Sequence, residues 1–338
     1  MNFVDEILNY SSLSIVGLEK NTGKTECLKY VLENLPLAQK RVAVTSIGID
    51  GESVDQVTQT QKPEIVLREG MFFGTSETHY RQRKLLSELI DVSDVNTSLG
   101  RVVTAKALTR GKILLSGPST GVSLKRWMRE MQRYGIDLVI VDGALSRMSS
   151  ASPAVSESMI LSTGAAFSAN LQTLVQKTAY VVELINLELT SPENLALLNP
   201  IEKGVWAIDG EGHLHDLKVQ TSLVKELQLD GVESCRTLYV AGALVDGFIE
   251  KLRQNKKLKG VELVVRDFTK VFASEPVLRP FLRSGGRLKV LQKSKLIAVT
   301  VNPTSPSGYV LDSDVLCRTL ADTIHIPVYD ILKNKACN

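Results

Sequence analysis

At 338 residues the chain is long enough to bury a substantial core, in two domains or one large one. With 43% hydrophobic and 23% charged residues, its composition is that of an ordinary folded globular protein and excludes disorder as its organising state. A net charge of +3 with both signs interspersed leaves no basic arm for nucleic acid, and 5% aromatic residues offer little for base stacking.

Four cysteines, Cys27, Cys235, Cys317 and Cys337, lie far apart without a C-x-x-C pair. That pattern predicts free thiols in a reducing compartment rather than a disulfide framework or a zinc site. Asp5 and Glu6 stand where a basic leader would begin, and no run is apolar for long enough to span a membrane. The expected location is therefore cytoplasmic.

Residues 1–10 read as a short helix or arm. Residues 11–35 then run from a short apolar stretch (Leu13, Ile15, Val16) through Gly17 and a polar loop to Gly23-Lys24-Thr25. Leu28, Val31, Leu32 and Leu35 follow on one helical face. Strand, glycine-bounded loop and helix in that order suit the binding of a phosphate. Successive backbone N–H groups curl around the anion, and the helix N-terminus adds partial positive charge. Lys24 would reach the outer phosphates and the Thr25 hydroxyl would hold Mg²⁺. Gly17, Lys20, Asn21, Thr22, Gly23, Lys24 and Thr25 are thus the candidate nucleotide contacts. The spacing is Gly17-x5-Gly23-Lys24-Thr25, one residue longer than the common phosphate loop, which would place its first glycine at Leu18.

A second strand from Arg41 ends near Asp50, where an acid could ligate Mg²⁺ through water, orient an attacking water, or simply begin an Asp-Gly turn. The segment around Ile65, Val66, Leu67, Phe72 and Phe73 reads as strand or ribbon. A helix is expected over 78–91 with Leu85, Leu86, Leu89 and Ile90 inward and Arg81, Arg83 and Lys84 outward. Strands at 101–105 and 112–116 precede a helix whose Leu124, Trp127, Met128 and Met131 have core spacing. Residues 136–143 then form a continuous apolar run closing on Asp142-Gly143. Buried parallel strands read this way, and an acid at such an exit completes a Mg²⁺ shell. Thr25, Asp50 and Asp142 are the candidate metal residues, with Lys24 and Asp50 the candidate catalytic pair. Arg147, in the small polar stretch beyond, is either a substrate or phosphate contact or a surface arginine.

A strand at 158–162 and a long helix over 170–187 continue the alternation, which predicts an α/β fold with a mostly parallel sheet wound by helices. Prolines at 192 and 200 mark a boundary, giving a nucleotide-binding domain over 1–190 and a second α/β domain over 191–338. In the second, residues 205–215 read as a hairpin carrying His213 and His215 on one face, without an evident carboxylate partner. Asp246, Asp267, Thr269 and Asn302 fall at strand ends, as turn residues or as the lining of a second ligand site.

The amino-terminal half, through Gly17, Gly23, Lys24, Thr25, Asp50 and Asp142, resembles the dethiobiotin synthetase branch of the phosphate-loop NTPases. The substrate-handling lysine that those enzymes carry on the second strand has no counterpart in VAVTSIGID. The whole chain, through VGLEKNTGKT, TSIGIDGE, VDGAL, ILSTGA and TVNPTSPSGY, is similar to the smaller subunit of the factor that reactivates adenosylcobalamin-dependent lysine 5,6-aminomutase. That resemblance implies ATP and Mg²⁺ as cofactors, hydrolysis that drives exchange of damaged cobalamin, and two partners: the aminomutase and an ATPase subunit of the mismatch-repair MutS type. It implies no nucleic acid and no membrane, and a homo- or hetero-oligomer. Alternative expectations are a dethiobiotin synthetase-like ligase or kinase acting on a small molecule, and a nucleotide-binding interaction module that does not hydrolyse.

Overall fold

A computed structural model of the chain describes residues 3–47, 63–144, 156–222, 235–255, 258, 260–333 and 335–337, without the side chains of 95, 144 and 335–337. Its contacts divide it into two units, Met1–Ala179 with Ser294–Asn338, and Tyr180–Lys293.

In the first unit the elements run α1 (Phe3–Ile7), β1 (Ser12–Gly17), α2 (Lys24–Asn34), β2 (Val42–Ser46), β3 (Ile65–Leu67), β4 (Phe72–Ser76), α3 (Glu77–Arg81), β5 (Ser87–Thr97), β6 (Gly100–Ala107), β7 (Gly111–Ile113), α4 (Gly121–Arg133), β8 (Leu138–Ala144) and β9 (Ser158–Gly164). Helix α5 (Leu171–Ile185) follows, and the second unit begins within it.

Strands join a ten-stranded sheet whose inner members, β16 (Val328–Asp330), β15 (Lys295–Asn302), β9, β1, β8, β2 and β4, are consecutive parallel neighbours. Antiparallel strands close it, β17 (Lys335–Cys337) at one edge and β6 and β5 at the other. Alternate residues of the central strands supply two separate cores. Ile15, Val44 and Ile140 face a cluster with Leu28, Val31 and Leu32 of α2. Ala43, Val139 and Val141 face another with Leu124, Trp127 and Met131 of α4. A sheet covered on both faces explains why β1 and β9 are buried at every position and read as continuous runs. Helix α4 starts on a reciprocal cap between Thr120 and Ser123. Its Trp127 donates from Nε1 to Thr104 Oγ1 at 2.8 Å, which satisfies the one polar atom that its burial would strand.

The second unit holds α6 (Pro192–Leu198), β10 (Val205–Ile208), β11 (Leu214–Val219), β12 (Thr237–Val240), α7 (Asp246–Gln254), β13 (Glu262–Val265), α8 (Glu275–Arg283) and β14 (Arg287–Val290). Its sheet has the order β11-β10-β12-β13-β14, in which β12, β13 and β14 are parallel and joined through α7 and α8. The chain then returns to the first sheet through β15, α9 (Ser313–Ile324), β16 and β17.

The α/β class and mostly parallel sheet agree with the sequence reading. Its division at 190/191 with everything beyond in one domain is corrected. The second unit is an insertion, and residues after 293 belong to the first sheet, because β15 pairs with β9 and not with any strand of the insertion. The expected helix over 78–91 is also absent. Helix α3 stops at Arg81, and Ser87–Thr97 pairs with β6, leaving Leu86 67% and Leu89 54% exposed. A partner strand satisfying the backbone of β5 outweighs the helical spacing of its leucines. Cys27 and Cys235 are free as expected, but Cys317, on α9, is disulfide-bonded. No helix among the described residues is long and apolar enough to cross a membrane.

The return of β15 is tight. A Cβ on Gly164 would lie 2.1 Å from the Asn302 carbonyl oxygen, whereas one on Gly242 would meet nothing within 4 Å. Gly164→Ala is therefore expected to cost roughly 1–3 kcal/mol in thermal or denaturant unfolding followed by circular dichroism. Gly242→Ala should stay within about 0.5 kcal/mol of the parent.

Candidate functional site

Strand β1 ends at Gly17 between β8 and β9, and the chain turns at once into the loop Leu18–Gly23 ahead of α2. Leu18 donates its N–H to the Ser162 carbonyl at 2.9 Å, anchoring the loop to β9. Inside the loop the Thr22 hydroxyl, buried, donates to the Glu19 carbonyl at 2.8 Å. A Cβ at residue 17 would stand 2.7 Å from that hydroxyl, so glycine there lets the loop fold back over its own strand. Asn21 (φ 61°) and Gly23 (φ 89°) both take the left-handed conformation. Glu19, Lys20 and Asn21 form the exposed crest.

Gly23 is the N-cap of α2 and supplies no side-chain cap. The first-turn N–H groups, with the positive end of the helix, therefore remain available to an anion. Lys24 and Thr25 open that turn, both half-buried. Asp142 reaches the same place from the neighbouring strand: it lies in register with Ile15 on β1 and with Ser46 on β2. Its Oδ1 is 2.9 Å from Lys24 Nζ, with the two side chains 16% and 25% exposed. That oxygen is buried and accepts no aligned hydrogen bond; the ammonium is within ion-pair distance but off the line of a directed bond.

Among the described residues beneath the loop are a thiol and two hydroxyls, those of Cys27, Thr300 and Ser162. Burial pushes the Cys27 thiol up to about 12, helped by the charge of Asp142 and opposed by a hydrogen bond with Thr300. Thr300 in turn shares a 2.8 Å hydrogen bond with Ser162. Asn302, at the end of β15, clamps the loop from the side. Its Nδ2 donates to the Asn21 carbonyl at 2.9 Å, and its Cβ would lie 3.0 Å from a Cβ placed on Gly23.

The sequence-predicted residues Gly17, Lys20, Asn21, Thr22, Gly23, Lys24 and Thr25 thus share one loop and helix turn, and Asp142 joins them. Asp50 and Arg147 lie outside the described residues. Asn302 ends β15 and accepts from Thr304 N at 3.1 Å, in keeping with its reading as a strand-end turn residue, and it also contacts the loop 17–25. Asp267 serves as a turn acceptor for Thr269 N at 2.9 Å, whereas Asp246 opens α7 and accepts from the distant Ser274 N at 2.7 Å. The histidine pair does have a carboxylate, contrary to the sequence reading. Asp209 Oδ2 lies 2.8 Å from His215 Nε2 and 3.4 Å from His213 Nδ1, and the His215 bond leads in holding the Asp209 carboxyl well below the usual range.

Among the described residues no group of three or more His, Cys, Asp or Glu side chains is placed to hold a metal. The donors at the loop nevertheless fit a hard divalent cation of the Mg²⁺ kind, which takes one or two protein ligands and completes its octahedron with water and phosphate oxygens. Asp142 presents a buried oxygen without a hydrogen bond, and Thr25 follows Lys24 in the first turn of α2. Chemically, the arrangement can hold a phosphate-sized anion on main-chain amides, with one cation and one anion beside it.

Comparisons with protein-family models, with curated proteins and with solved structures return no match to this chain.

Asn302→Ala removes one donor and is expected to cost about 1 kcal/mol in unfolding experiments, and to raise hydrogen exchange at Asn21–Lys24. The raised thiol of Cys27 gives a pH dependence with a definite sign. Its folded pKa, about 12 against an ordinary 9.0, contributes stability that is complete below the ordinary value and is lost as pH rises toward the folded one. In mildly alkaline buffer iodoacetamide should leave Cys27 unmodified in the folded protein and alkylate it after unfolding, as mapped by peptide mass spectrometry.

Proposed function

We propose that the chain binds a nucleoside triphosphate, ATP in the first instance, together with Mg²⁺ in the loop 17–25, and hydrolyses it as a reactivating subunit for an adenosylcobalamin-dependent aminomutase. One observation carries the nucleotide reading. A glycine-bounded loop leads from a central parallel strand to an uncapped helix N-terminus, and a lysine in its first turn meets an acid from the adjacent strand at 2.9 Å. Phosphoryl transfer needs positioning and charge stabilisation more than covalent chemistry. In this reading the loop amides and Lys24 take the phosphates, and Thr25 and Asp142 hold Mg²⁺, whose contribution when bound is to neutralise charge on the phosphate oxygens. Asp50 keeps its proposed part as water-orienting or metal-shell residue.

Two features support coupling of the nucleotide to a larger task. The second unit is inserted between β9 and β15, and β15 ends on Asn302, which is bonded to the loop. A change in loop conformation on hydrolysis would therefore reach a strand that is covalently continuous with the insertion. The aminomutase and the MutS-type ATPase enter as partners through the resemblance of the sequence. The dethiobiotin synthetase-like ligase or kinase uses the same loop and differs in its acceptor.

The test has two stages. Isothermal titration with Mg·ATP should give saturable binding, weakened at least about tenfold in Lys24→Ala, a loss of the size expected for a charge-assisted contact. Asp142→Ala should chiefly reduce Mg²⁺-dependent phosphate release. Co-precipitation with lysine 5,6-aminomutase in the presence and absence of ATP, followed by cobalamin exchange, tests the second half. Absence of both association and exchange rejects the reactivating role and leaves the nucleotide site standing.

A further inference from the structure

We infer that helix α4 and strand β5 are the two halves of an interface through which two copies of this chain pair about a twofold axis, the basic helix of each against the acidic strand of the other. The ground for it is a separation of charge within the first unit. Helix α4 carries Lys125, Arg126, Arg129 and Arg133 against a single acid, Glu130. All four basic residues are exposed, and Arg126, Arg129 and Arg133, spaced i, i+3 and i+7, share one helical face. Strand β5 carries Glu88, Asp91 and Asp94 and no basic residue. Glu88 has Lys106 of β6 opposite it, whereas Asp91 stands opposite Thr104 and Asp94 falls in an irregular stretch of the pairing. Arg126 is spent on Glu130; among the described residues no ion pair includes Lys125, Arg129, Arg133, Asp91 or Asp94. Exposed apolar side chains flank each row, Leu86 (67%) and Leu89 (54%) at the start of β5, Val122 (80%) and Tyr134 (42%) at the ends of α4.

The two rows border one small cleft, lined by Ser93 and Thr97 from β5 and by Ser123, Arg126 and Glu130 from α4. In an isologous pair every contact occurs twice, once in each direction. A twofold axis running along the cleft therefore sets α4 of one copy against β5 of the other, and β5 of the first against α4 of the second. Opposite charges meet at both contacts, and the apolar side chains beside the rows enter the same surface. The competing arrangement is strand to strand, since β5 is an edge of the sheet. An antiparallel second β5 centred on Asp91 would set Asp91 against its own copy and Glu88 against Asp94, like charges directly opposite. Register shifts within β5 also interrupt the regular ladder that an added strand needs.

The experiment is sedimentation velocity on the full chain over a range of concentrations, at about 0.05 M and about 0.5 M NaCl. The parent should dimerise at low salt, with a dissociation constant at least roughly tenfold higher at high salt, because screening shortens the reach of exposed charges. Two double variants reverse one row each, Arg129→Glu with Arg133→Glu, and Asp91→Lys with Asp94→Lys. Alone, each should be monomeric where the parent is a dimer. Mixed in equal amounts they should form a heterodimer, since the reversed helix of one meets the reversed strand of the other and the unaltered rows meet at the second contact.

A parent that stays monomeric at low salt overturns the interface, as does a dimer that either reversed variant keeps. Loss in both variants without recovery on mixing refutes the pairing of helix with strand. Should a reversed variant fail to fold by circular dichroism, Arg129→Ala with Arg133→Ala and Asp91→Asn with Asp94→Asn stand in. Each should weaken the dimer several-fold; an unchanged dimer, or one that tightens on Asp91→Asn as strand-to-strand pairing requires, overturns the inference.

Discussion

Strand β1 is hydrogen-bonded along both edges, by β8 and by β9, and all its residues are buried. A strand so placed has no freedom in where its carboxyl end emerges. Gly17 must release the chain at the mouth of the sheet, in register with Ala144 on one side and Ser162 on the other. The loop Leu18–Gly23 then has one short way round to α2, and its two left-handed residues, Asn21 and Gly23, make that turn possible. The site follows from the sheet.

The chemistry concentrated there has a plain electrostatic cause. Uncapped helix N–H groups and the Lys24 ammonium are positive, the Asp142 carboxylate is negative, and the material beneath, Cys27, Ser162 and Thr300, is neutral. Among the described residues, the lysine and the aspartate have each other as ion-pair partners. Partial burial makes their separation costly.

The insertion of Tyr180–Lys293 bears on how such a site could be used. Leaving after β9 and returning as β15, the chain brings Asn302 against the loop from a position 281 residues beyond the carbonyl it contacts. Glycine at 164 and at 23 is what lets Asn302 approach so closely. The loop is thus held by both strands beyond β1 on that side, β9 through a main-chain bond and β15 through a side-chain amide. The ends of β2 and β4 are fixed in another way, by buried hydroxyls: Ser46 donates to the Leu115 carbonyl and Thr75 to the Leu114 carbonyl.

What the sequence determined by itself is local. Continuous apolar runs at 138–141 and 158–162, the glycines at 17 and 23 flanking a polar stretch, and leucines at helical spacing after Lys24 were enough for the α/β class, the loop and the strand that ends on Asp142, because each depends on neighbours within a dozen residues. The leucines at 85, 86 and 89 had the same helical spacing and yet form a strand, since the backbone of β5 found its hydrogen bonds on β6, a pairing that local spacing does not encode. Tertiary structure alone decided that residues after 293 rejoin the first sheet, that Asn302 braces the loop, that Asp209 stands beside the histidines, and that Cys317 is bonded. Each of these is a contact set by sheet order or chain reversal, and strand order follows from which edges remain open when the chain returns, a property of the folded assembly and not of any segment within it.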